Sequence, residues 1–105
     1  MSKTYPKDER NYGSSPGNPT WVRYRDNHPE SYEDLTPAQK AVVAQWIEAG
    51  LPAGAGSYFL KHSFEESQEG FYISNGQMKG AMLAAGFTAV DATAFSWVFR
   101  ARGDR

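Results

Sequence analysis

Residues 57–87, SYFLKHSFEESQEGFYISNGQMKGAMLAAGF, carry the densest local instructions in the chain. They read as two short helices joined by a turn and a short extended piece. The second helix is fully punctuated. Ser74 stands as an N-cap with Gln77 three residues on, a capping box in which each side chain satisfies a backbone N–H of the first turn. Ile73 and Met78 occupy hydrophobic-staple positions across that cap. Met78, Ala81, Met82 and Ala85 recur on one helical face. Gly86 suits a left-handed C′ residue, and Phe87 can fold back on Met82 as in a Schellman stop. Start, face and stop agree on a helix over 74–86.

Gly76 and Gly80 lie inside that helix, where each costs roughly 1 kcal/mol relative to Ala. Something therefore approaches closely. A nucleic-acid backbone or a partner protein would explain it. So would a neighbouring helix or sheet packed on the smooth Gly80–Ala81–Ala84 surface, and this plainer reading needs no ligand.

In the first half of the stretch, Ser57 reads as the cap of a helix reaching about Ser67. Leu60 and Phe64 point inward, Tyr58 and Phe59 widen the buried face, and Lys61 pairs with Glu65 on the solvent side. Gly70 ends this helix, and Phe71–Ile73 are extended, as in a short strand. Beyond Phe87 the period changes from helical to alternating. Phe95, Trp97, Phe99 and Ala101 alternate with Ser96, Val98, Arg100 and Arg102, a strand with one aromatic face. Thr88–Val90 can pair with it across Asp91–Ala94.

Upstream, Thr36 and Gln39 form another capping box, with Pro37 at the first helical position. Val42, Val43, Trp46 and Ile47 give a wide apolar stripe and predict a well-buried helix. Gly50 is its C′ stop and Pro52 prevents continuation. Residues 51–56, LPAGAG, read as a flexible joint; no Lys-Ser or Lys-Thr follows to make them a phosphate loop. Residues 29–35, PESYEDL, read as an acidic loop. Within 18–28, Asn18 and Pro19 suit a helix start. Trp21 and Tyr24 beside Arg23 and Arg25 form an aromatic–basic cluster. It fits partner anchoring or base stacking, or rings pinned on the core with arginines facing water. Residues 1–17 have the composition of a disordered arm, 18–102 read as a single globular domain, and 103–105 as a tail.

The length of 105 residues allows one domain with a modest core. Net charge is −1, without the basic excess expected of a dedicated nucleic-acid binder. The chain is rich in aromatics, with three Trp, six Tyr and six Phe. It has no cysteine, so disulfides, thiolate metal sites and Cys nucleophiles are excluded. No signal peptide or membrane-spanning run stands out, and a soluble cytoplasmic protein is expected. His62 and Glu66 have ligand spacing but no third partner. No nucleophile elbow appears. No enzyme, cofactor or metal site is expected, and nothing in the sequence specifies an oligomeric state.

Three helices followed by an alternating hairpin give a mainly α protein with a small β-hairpin, in the element order of a winged helix-turn-helix. Helix 74–86 would then be the recognition helix, offering Asn75, Gln77 and Lys79 to base edges. Arg100 and Arg102 on the wing would hold phosphates. The segments SYxLKH at 57–62, GFYISNG at 70–76 and AMLAAGF at 81–87 also resemble small accessory proteins of phages, prophages and plasmids, over about half of the chain. That resemblance implies a mobile-element origin and, with it, a non-enzymatic protein that binds a host or defence protein in a bacterial cytoplasm. The alternative is a winged-helix protein on double-stranded DNA. Residues 53–105 carry five basic and five acidic side chains, which favours the protein partner.

Overall fold

The computed structural model describes residues 21, 24–52 and 54–102. The arm at 1–17, the helix start at Asn18 and Pro19, Arg23 and the tail at 103–105 lie outside the described residues. The described chain is mainly helical with one small antiparallel sheet. Its elements are 3-10 helices at Arg25–Asn27 and Pro29–Asp34, then α1 (Pro37–Glu48), α2 (Ser57–Glu66) and α3 (Asn75–Ala84). Strands β1 (Thr88–Ala89) and β2 (Phe99–Arg100) follow.

Both capping boxes form. Thr36 Oγ1 accepts from Gln39 N–H at 3.1 Å, and Gln39 Oε1 accepts from Thr36 N–H at 2.8 Å. At α3, Ser74 Oγ accepts from Gln77 N–H at 3.0 Å, and Gln77 Oε1 accepts from Ser74 N–H at 2.9 Å. The end of α3 is a Schellman motif: Gly86 has φ +99°, Phe87 N–H reaches Met82 O at 3.1 Å, and Gly86 N–H reaches Leu83 O at 3.0 Å.

The core is Leu35, Val43, Ile47, Leu60, Phe64, Ile73, Met78, Ala81 and Met82. Helix α1 contributes less than its stripe predicts. Val43 and Ile47 are buried, while Trp46 is half-buried, edge-on to Phe64 with ring centroids 5.5 Å apart. Helix α3 is covered on nearly every side; seven of its ten residues are buried. The supposed acidic loop supplies much of that cover. Residues 29–34 form a 3-10 helix whose backbone lies against α3, and His28 O accepts from both Ser31 N–H and Ser31 Oγ. Both helix glycines serve this contact. A Cβ at Gly76 would lie 2.7 Å from the His28 carbonyl carbon, and one at Gly80 would lie 2.6 Å from Pro29 O.

Helix α2 differs from expectation in three places. Its N-cap residue is Gly56, without a side-chain cap, because Ser57 turns its hydroxyl inward. Phe59 is exposed at 56%. Lys61 is buried rather than solvated, holding Glu65 at 3.1 Å. The same Glu65 oxygen accepts from Ile73 N–H at 3.1 Å. That carboxylate takes the place of a strand partner, so Phe71–Ile73 form no strand.

The hairpin pairs Thr88 with Arg100 and Ala89 with Phe99. Val90 N–H reaches Val98 O at 2.8 Å, and Val98 also bridges to Gly56. The predicted alternation holds in part: Phe95 and Trp97 are buried, Phe99 is half-buried, and Val98 and Arg100 are exposed, but Ala101, expected on the inward face, is exposed beyond the end of the ladder. The ladder is shorter than predicted. Side chains from two helices replace a partner strand: Trp97 N–H donates to Ser57 Oγ at 2.9 Å, and Phe95 O accepts from Asn75 Nδ2 at 2.9 Å.

Candidate functional site

The residues singled out in the sequence fall into two places. The first is a buried polar knot at the start of α3. Asn75 follows the Ser74 cap, and helical spacing puts Lys79 one turn further on the same side. Lys79 is fully buried. Its Nζ donates to Asn27 O at 2.8 Å and lies 4.1 Å from the Trp21 ring and 4.8 Å from the Trp97 ring. The two indoles are themselves fixed: Trp21 Nε1 donates to Thr93 O at 2.5 Å, and Trp97 Nε1 to Ala92 O at 3.2 Å. Burial pushes the Lys79 ammonium down to about 7. The ring faces and the carbonyl favour the charged form and oppose that shift.

Asn75 is equally buried. Its Oδ1 accepts from Ser57 Oγ at 2.7 Å, and its Nδ2 donates to Phe95 O and, at 3.3 Å, to Asn27 Oδ1. Asn27 Nδ2 has no hydrogen-bond partner among the described residues. The knot therefore ties the 24–27 turn, α2, α3 and the 92–97 segment together.

This arrangement leaves little of the predicted interfaces on the surface. Trp21 is 6% and Tyr24 7% exposed, so their rings serve the interior rather than a partner. Arg25 is held by Asp34, which raises its pKa through a side-chain hydrogen bond. Asn75 and Lys79 cannot present themselves to a base edge while the fold is intact. Gln77 is half-buried and holds its Oε1 in the capping box. His62 faces Glu65 at 3.6 Å, not Glu66, and no metal-ligand cluster is present among the described residues.

The second place was not foreseen. An open cleft of about 380 Å³ lies between the end of α1, residues 50–52 and 54–55, and β2. Its apolar lining includes the buried Ile47, Leu60 and Met82 and the half-buried Leu51, Phe87 and Phe99, and its charged lining is Glu48, Arg100 and Arg102. Arg102 donates to Glu48 through both terminal nitrogens, Nη1 and Nη2, at 2.6 and 3.0 Å, and stacks over Phe87 at 5.0 Å. This pairing raises the pKa of Arg102 and lowers that of Glu48. Arg100 donates to Ala89 O at 2.7 Å and is otherwise exposed. The wing arginines expected to hold phosphates thus border an apolar cleft. Its volume falls within the range of about 300–1,000 Å³ common for ligand clefts.

No helix among the described residues is long and apolar enough to cross a membrane. No family model, curated protein or solved structure matches the chain.

Proposed function

We propose that this chain is a non-enzymatic interaction protein that binds a host or defence protein in the bacterial cytoplasm, as a mobile-element accessory protein would. The observation that carries the reading is the cleft at β2. It joins an apolar floor to a polar rim, the composition that partner-binding surfaces use. The near-zero net charge and the pattern at 57–87 support it.

A winged-helix role on double-stranded DNA is the second reading. Three helices before a hairpin bearing Arg100 and Arg102 favour it. The burial of Asn75 and Lys79 weighs against it, because a recognition helix needs its polar tip in the groove.

Affinity capture from host lysate, split into nuclease-treated and untreated halves, separates the two. A stoichiometric protein that survives nuclease is the expected result. Capture that collapses with nuclease, together with co-purifying nucleic acid, would put DNA first.

A further inference from the structure

The cleft also carries information about its occupant. Three of its lining side chains are charged, and two of them cancel. The Glu48 carboxylate is fully engaged by Arg102. Arg102 also reaches Ala85 O at 3.4 Å, so it acts as a strut across one end of the cleft. Arg100 spends one N–H on Ala89 O. A guanidinium has five N–H donors in a rigid fork, so the rest face solvent at the mouth. Among the described residues, the charge left uncompensated in the cleft is one guanidinium beside an apolar floor. Gly50 and Gly54 add bare backbone to the wall; a Cβ at either would meet nothing within 4 Å.

We propose that this cleft receives a segment of the partner protein that carries bulky apolar side chains flanked by Asp or Glu. This rests on the protein-binding reading above and names the chemistry of the partner. The apolar side chains lie on Leu51, Phe87 and Phe99, the half-buried apolar side chains of the lining, and the carboxylate takes the Arg100 fork, a charge-assisted pairing that fixes the register of the segment. A phosphate polymer fits poorly. Among the described residues it would meet a single uncommitted cation and an apolar floor.

The test uses the full chain and a displayed library of random dodecapeptides as probe, with two variants, Arg100→Glu and Ala101→Trp. Both positions are exposed at the mouth, so thermal midpoints should match the parent. Selected peptides should pair Leu, Ile or Phe with a neighbouring Asp or Glu. A synthetic consensus peptide should lose at least tenfold in affinity on either variant. Arg100→Glu should instead bind the version with Lys in place of the acid, and that swap also reports a folded variant. Enrichment of apolar peptides without acids, or affinity unchanged in both variants, overturns the proposal. So does self-association in sedimentation that Ala101→Trp abolishes, which would make the cleft an interface between copies. If both variants still capture the same host protein from lysate, the protein-binding function stands and the cleft assignment falls.

Discussion

Lys79 sits where an ammonium is costly, and its surroundings say how that cost varies with pH. It contacts two indole faces and one carbonyl, with no carboxylate among these contacts. Its folded pKa, about 7, lies below the value of 10.5 it has when solvated. Between these values the unfolded chain holds a proton that the folded chain lacks, so stability rises with pH. Below both, Lys79 is protonated in either state and its contribution is flat. The rise should approach about 1.4 kcal/mol per pH unit within that window. We expect Lys79→Met to be at least as stable as the parent at pH 6, since replacing a buried charge by a matched apolar side chain is often neutral or better. The advantage should shrink by pH 9. Urea titrations of both proteins at pH 6, 7.5 and 9 measure this; parallel profiles would show that another group titrates.

At the scale of an element, α3 shows two forces in opposition at its glycines. Ala in place of Gly76 or Gly80 gains about 1 kcal/mol of helix propensity. It also drives a Cβ into the backbone of His28 or Pro29. Overpacking costs about 1–3 kcal/mol, and backbone atoms yield less readily than side-chain ends. Sterics should win, with each variant losing up to about 2 kcal/mol in thermal or chemical unfolding. A gain in stability would mean that the 28–34 segment does not rest on α3. The two capping boxes offer an internal comparison. Ser74 is buried and Thr36 exposed. Replacing either by Ala should cost about 1 kcal/mol. Ser74→Ala should cost more, because water cannot reach the freed N–H groups. Equal losses in paired denaturation curves would contradict that burial.

At the scale of the molecule, one side of the fold is closed and another is open. The knot around Lys79 and Asn75 binds four chain segments into the interior, whereas the cleft at β2 remains accessible. Disturbing the two should have different consequences. Ser57→Ala removes a hydroxyl that accepts from Trp97 N–H and donates to Asn75. It should destabilise the whole chain by about 1–3 kcal/mol, since buried polar groups lose their partners. Arg102→Ala removes an exposed strut. It should leave the unfolding midpoint nearly unchanged, while altering the cleft and weakening partner capture. A large fall in the midpoint of Arg102→Ala would show that the strut holds the fold rather than the cleft.

The limits of α1 and α3, both capping boxes, the Schellman stop and the existence of the hairpin were legible in the sequence; its register and the cap of α2 were not. Each of the legible features depends on side chains within a few residues of the backbone group they satisfy. The alternation of Phe95, Trp97 and Phe99 was legible for the same reason. What covers α3 was not. Gly76, Lys79 and Gly80 share a face by their spacing, and two glycines on one face signal a close neighbour. Local pattern does not say which segment arrives there, and a lysine reads as solvated until its surroundings are known. The arrival of 24–34 buries Asn75 and Lys79, and with them the side chains that made α3 resemble a recognition helix. The cleft is a product of the same level of organisation. Ile47, Leu60, Met82 and Phe99 are far apart in the chain and read individually as core. Ile47, Leu60 and Met82 do end as buried core; only the tertiary structure decides that Phe87 and Phe99 stay half-buried above them at a mouth beside Arg100, because long-range packing determines which apolar surface is left uncovered.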